Sequence, residues 1–252
     1  MIASLMMYAR PELEGAHDRF WMLIREELKG QGIEGPEKLS QHADMFEVWE
    51  DPELVLSQTC GMPYRVFLKE KVMLVGTPDY GLEGCPAGHY QSPIVVRKDD
   101  PRTSLLEFKD AIFGFNQTHS QSGFAAPYEH VSKQGFWFQN RLATGGHLAS
   151  AQAVAEERAD IAAIDGVTWR LIQKYEPCAE HLRVLEWTRP TPGLPLITSL
   201  KHDPKAVFAA VSSAISALEA SDKALLGINA LVRIPQADYF AIANPPETLL
   251  TR

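Results

Sequence analysis

The stretch Ala111-Ile112-Phe113-Gly114-Phe115-Asn116-Gln117-Thr118-His119-Ser120-Gln121-Ser122-Gly123 passes through three regimes in quick succession. Ala111 to Phe115 is a short apolar run of the kind that forms a buried strand. Asn116 to Ser122 is a polar loop, and a helix is predicted from about Gly123 to Ser132. Strand, loop and helix in that order are the repeating unit of an α/β protein, in which the loops after strand C-termini carry ligands.

The same alternation extends outward in both directions. Toward the N-terminus, Ile2 to Tyr8 reads as a first strand, stopped by Arg10-Pro11. Leu13, Ala16, Phe20, Trp21, Ile24 and Leu28 then fall on one face at helical spacing, closed by Gly30 and Gly32. Phe46 to Trp49 is predicted as a second strand and Asp51-Pro52 as a helix start. Further strands are expected at Leu54–Thr59, Val72–Gly76 and Gln91–Arg97. Toward the C-terminus come a small-residue helix after Gly145-Gly146, a strand at Asp160–Ile164, a helix at Trp169–Tyr175 and a strand at Leu182–Trp187. Asp203-Pro204 opens a last clear helix with Val207, Val211, Ile215 and Leu218 on its inner face. The expectation is an α/β fold built on parallel sheets.

Two extended connections, Tyr90–Pro93 and Thr188–Gly193, suggest where the chain changes lobe. They divide it into a discontinuous first lobe, 1–92 plus 189–252, and an inserted second lobe, 93–188. A cleft between lobes is a common place for a small-molecule site. One continuous α/β domain with a proline-rich loop fits the same pattern.

Composition narrows the function classes. The chain has 252 residues, 24 Lys and Arg against 32 Asp and Glu, and a formal charge of −8, with no basic run. A nucleic-acid partner wants a basic face and is not expected. No apolar stretch approaches the roughly 20 residues of a membrane span, so membrane insertion is not expected either. Met1 to Ala9 is apolar without a preceding basic residue and does not read as a signal peptide. The location is therefore periplasmic if a leader has been removed, and cytoplasmic otherwise. Cys60, Cys85 and Cys178 form no CxxC pair, and neither a metal site nor a cofactor is expected. Buried free thiols are the simpler reading, with a Cys60–Cys85 disulfide as the alternative in an exported protein.

The loop at residues 116–123 is the strongest candidate site. The first N–H groups of a helix lack internal partners and carry partial positive charge. Ser120 and Ser122 add hydroxyls, and Gly123 lets a ligand approach the backbone, so an oxyanion can be held without Lys or Arg. Ordinary N-capping by serine explains the same residues. Other candidates stand near strand C-termini: Tyr8, Thr59 with Tyr64 beyond it, Ser92, and Asp165, while His147 opens a helix after Gly145-Gly146. Each has a plainer structural role as a cap or a buried ring.

Several ordered motifs add a resemblance. Ser57-Gln58-Thr59-Cys60-Gly61-Met62-Pro63, Gly84-Cys85 with Tyr90-Gln91-Ser92, Ser120-Gln121-Ser122-Gly123, Gly146-His147, Ala159–Asp165 and Pro192–Pro195 before Ile197-Thr198-Ser199 occur in sequence. Together they resemble the phosphate, phosphite and phosphonate substrate-binding proteins of ABC importers. The resemblance implies a two-lobed type II periplasmic-binding-protein fold with a two-stranded hinge. It also implies a small-molecule anionic ligand whose oxyanion group is held by Ser120 and Ser122 with the helix N-terminus, an ABC permease as partner, and no catalysis; Gln121 and Gly123 are further ligand-binding candidates in the same loop. His147, Asp165 and Tyr64 would line the facing wall. Gln121 stands between the serines where phosphonate binders often carry a hydroxyl. An enzyme on the same fold, with Cys60 as nucleophile and His147 or His119 as base, is the alternative. An intracellular ligand sensor is a third reading.

Overall fold

The computed structural model describes residues 1–250 and divides them into two compact α/β units. Among the described residues, unit 1 comprises 1–89 and 192–241, and unit 2 comprises 90–191 together with 242–250.

The sheet of unit 1 has the order β1-β2-β11-β3-β12. Its strands are β1 (Ile2–Ser4), β2 (Leu54–Gln58), β3 (Val72–Asp79), β11 (Leu196–Ser199) and β12 (Ala230–Val232). β1 and β2 are parallel, but β11 runs antiparallel to both β2 and β3, and β12 antiparallel to β3. The expectation of parallel sheets therefore fails in part. β11 is entered from the chain crossing at 191–192 rather than through a helical crossover, so nothing forces it parallel. The long helices Glu14–Gly30 and Pro204–Ala217 bury Phe20, Trp21, Ile24, Val207, Val211 and Ile215.

Unit 2 is ordered β7-β6-β8-β5-β9. The strands are β5 (Pro93–Arg97), β6 (Phe113–Phe115), β7 (Arg141–Ala143), β8 (Ile161–Ala163) and β9 (Leu182–Trp187). β6 is parallel to β7 and β8, whereas β5 is antiparallel to β8 and β9. Alternation along the strands buries both faces. Ile94, Val96, Ile161 and Ala163 join a phenylalanine-rich core on one side, and Val95 and Ala162 join Val154, Trp169 and Ile172 on the other. Central strands buried on both faces read as continuous apolar runs, which is why the sequence exposes them.

The main chain passes between units at 89–90, 191–192 and 241–242. The first two crossings, β4 (His89–Tyr90) and β10 (Thr191–Pro192), pair as a two-stranded sheet. Gly193 N–H donates to Gly88 O at 2.8 Å on one side, and Thr188 N–H to Ser92 O at 3.0 Å on the other. A Cβ on Gly193 would stand 2.8 Å from the Gly88 oxygen, so this approach requires glycine.

Three local expectations are corrected. The first strand ends at Ser4, and Tyr8 lies in a 3-10 turn, Met6–Tyr8. Phe46 to Trp49 is helical within Met45–Trp49, because the Asp44 carboxylate caps the N–H groups of Phe46 and Glu47 at 2.9 and 3.1 Å. An N-cap of that kind outweighs the strand preference of Phe-Glu-Val-Trp. Asp51-Pro52 starts no helix: Asp51 accepts from Glu53 N–H at 2.7 Å in a turn leading into β2. Cys60, Cys85 and Cys178 are all free thiols.

Candidate functional site

β6 ends at Phe115, and the chain turns through residues 116–120 into a π-helical turn, Gln121–Ala125, continued by the helix Ala126–Ser132. Ser120 is the N-cap: its Oγ accepts Gly123 N–H at 3.0 Å, and its carbonyl accepts Ala125 N–H at 2.9 Å. That wide i to i+5 bond is what opens the first turn. The Ser120 and Ser122 hydroxyl oxygens lie 3.5 Å apart, so both reach one end of the turn.

His147 opens the helix His147–Ala155, which follows β7 and Gly145-Gly146. Its Nε2 lies 2.9 Å from Ser122 Oγ and 3.4 Å from Asn116 Nδ2. The two loops are tied together. Gly145 N–H donates to Asn116 O at 3.1 Å, and Thr144 N–H to Phe115 O at 2.8 Å. Burial pushes the His147 imidazole down to about 4, with the Ala163 carbonyl acting in the opposite direction, so the ring is neutral at pH 7. The resulting cluster of Asn116, Ser120, Ser122 and neutral His147 carries no formal charge. It can hold an anion through dipoles and hydrogen bonds, which strengthen where water is excluded.

Gly123 has its own constraint. A Cβ there would collide with Asn116 Oδ1 and stand 3.1 Å from His147 Cε1. Glycine is thus needed to pack the turn against both side chains, a different reason from ligand approach.

The remaining predicted residues divide as follows. Gln121 is buried in the same turn. Asp165, also in unit 2, is buried and caps the helix Gly166–Tyr175, accepting from Val167 and Thr168 N–H at 2.8 and 2.9 Å. Ser92 is buried at the start of unit 2, donating its N–H to Thr188 Oγ1 at 2.9 Å. In unit 1, Tyr8 packs edge-on against Tyr80 at 5.1 Å. Tyr80 in turn lies within 3.2 Å of Gln58 Nε2, beside Thr59 at the end of β2. Thr59 donates its N–H to Pro195 O at 3.0 Å. Tyr64 belongs to the hydrophobic core of unit 1, edge-on to Tyr239 at 5.4 Å, with burial pushing its phenol up to about 12. Of the ten, Ser120, Gln121, Ser122, Gly123 and His147 are brought together in unit 2, and Tyr8 and Thr59 stand near one strand end in unit 1.

The sequence places Asn116 in the candidate loop and Gln58 in a strand-end motif without singling out either side chain, and it gives no sign of Tyr80. The motif Asn116–Gly123 was visible, but nothing in it indicated that Asn116 would meet a histidine 31 positions later.

No curated protein sequence matches the chain. Solved structures with the same fold do. PhnD1 from Prochlorococcus marinus, in complex with methylphosphonate, shares 16% identity, with a TM-score of 0.72 over 94% of this chain and 93% of that one. A binding-protein component of an ABC phosphonate transporter from Pseudomonas aeruginosa shares 16%, with a TM-score of 0.69 over 95% of this chain and 82% of the other. XAC2383 from Xanthomonas citri bound to ATP shares 14%, with a TM-score of 0.69 over 94% and 91%. At such identities the likeness establishes the periplasmic-binding-protein fold. The family described as "ABC transporter, phosphonate, periplasmic substrate-binding protein" matches residues 49–239, which include the serine turn, His147 and both chain crossings between 89 and 192. This chain belongs to the phosphonate substrate-binding proteins of ABC transporters, a family of solute binders and not of enzymes.

Proposed function

We propose that the protein captures a small oxyanion of the phosphonate type in the unit 2 turn and delivers it, from the periplasmic side, to an ABC permease. The observation that carries this reading is the convergence of Ser120 Oγ, Ser122 Oγ and neutral His147 on the first turn of one helical segment. Such a set offers hydroxyl and N–H donors with the helix end behind them, which suits a tetrahedral anion. The PhnD1 structure was solved with methylphosphonate, making that the first ligand to try. Tyr8 and Thr59 are proposed as ligand-contacting residues of unit 1, and Asp165 as a ligand-recognising residue of unit 2 in addition to its capping role.

Thermal stabilisation against methylphosphonate, phosphate, phosphite, methanesulfonate and acetate tests the reading. A ligand at about 100 times its dissociation constant adds about 2.7 kcal/mol to stability, a plain upward shift in melting temperature. The shift is expected with phosphorus oxyanions and is expected to vanish in Ser120→Ala/Ser122→Ala. A shift that survives the double substitution would place the anion elsewhere.

A further inference from the structure

Asn116 is nine-tenths buried at the end of β6, and its two amide atoms have very different surroundings. Oδ1 is pressed against the Gly123 backbone so closely that no side chain fits at 123, and it meets no donor among the described residues. Nδ2 lies 3.4 Å from His147 Nε2 and donates to Gln117 Oε1 at the same distance, one N–H for each. Burying a carbonyl oxygen without a donor costs stability, so this placement needs a compensating reason.

The reason lies in the arithmetic of His147 Nε2. A neutral imidazole whose Nδ1 carries the proton has one lone pair, on Nε2. Two donors compete for it: Ser122 Oγ at 2.9 Å and Asn116 Nδ2 at 3.4 Å. While Ser122 donates to the ring, its hydroxyl turns lone pairs outward, the wrong polarity for an anion. If the hydroxyl proton swings to a ligand oxygen, Nε2 would be left as a buried acceptor without a donor unless Asn116 takes its place.

We infer that Asn116 is a positioning residue of this site, supplying the hydrogen bond to His147 Nε2 that releases the Ser122 hydroxyl proton to the ligand. This rests on the oxyanion reading for its ligand but not for its geometry. In this arrangement Asn116 sets the ring as the Nδ1–H tautomer, because an amide N–H facing Nε2 admits no proton there, while Nδ1 is buried beside the Ala163 backbone without a well-formed hydrogen bond.

The test uses two variants and two readouts. Asn116→Asp keeps the shape against Gly123 but replaces the donor with an acceptor; Asn116→Ala removes both. The readouts are the tautomer of His147, from its imidazole nitrogen and proton correlations in the ligand-free protein, and the dissociation constant for methylphosphonate. Expected are a loss of the Nδ1–H tautomer in Asn116→Asp and an affinity about tenfold or more weaker in both variants, the size of an unpaired buried acceptor. If Asn116→Asp keeps the wild-type tautomer and affinity, Asn116 only fills space and the inference is overturned. If the wild-type protein binds no methylphosphonate, the oxyanion reading fails by itself. The tautomer of His147 in Asn116→Asp still decides the role of Asn116: a wild-type tautomer overturns it.

Discussion

At His147, the burial that keeps the imidazole neutral also limits the pH range of the fold. In the unfolded chain the ring takes up its proton near 6.5, but in the folded protein only near 4. Between those values the unfolded state binds more protons, so stability is complete above about 6.5 and falls as the pH drops toward about 4. Melting curves across that window are expected to fall more steeply for the wild type than for His147→Gln; equal slopes would show that the ring does not titrate in this way. Gly123→Ala is a sharper residue-scale prediction. Its Cβ has no room beside Asn116 and His147, so a loss of about 1–3 kcal/mol in a denaturant melt is expected. Ser120, Ser122 and Gly123 were legible because a cap and a turn are short-range chemistry. The Asn116–His147 contact was not, because it depends on how two loops of one sheet edge meet, and a single sequence carries no trace of that.

Individual elements give a different kind of test. Glu157 ends the helix His147–Ala155 in a left-handed conformation, φ 63°, with Arg158 N–H donating to Ala153 O at 2.8 Å across the turn. That position ordinarily belongs to glycine. Glu157→Gly is expected to stabilise the protein by about 1 kcal/mol in the same melt, and a destabilised variant would mean that the Glu157 side chain contributes more than its backbone strain costs. Asp165→Ala removes two capping bonds and is expected to cost about 1–2 kcal/mol. The strands most visible in the sequence, β2, β5 and β8, are buried along nearly their whole length and rich in Val, Ile, Leu and Ala, whereas β11, equally buried, was not visible because Thr198 and Ser199 break its apolar run. β7 and β12, three residues each and only partly buried, are too short to stand out as strands. The helix Met45–Trp49 was misread because its Asp44 cap lies just outside the apolar segment that suggested a strand.

Across the whole molecule, the alternation of strands and helices sufficed for the α/β class, while strand direction did not follow from it. The antiparallel β5 and β11 flank the chain crossings, and a sequence pattern records the crossing but not the direction of entry. The cluster of Asn116, Ser120, Ser122 and neutral His147 carries no formal charge, so affinity for methylphosphonate is expected to depend only weakly on salt. A steep salt dependence would point instead to a lysine or arginine in the site. The most direct check on the account is a titration of isotopically labelled protein with methylphosphonate, followed through the backbone amides and the His147 ring. Saturable shifts at Gln121, Ser122, Gly123 and His147, absent from Ser120→Ala/Ser122→Ala, are the predicted result. Saturable binding that leaves those four residues unmoved would contradict it.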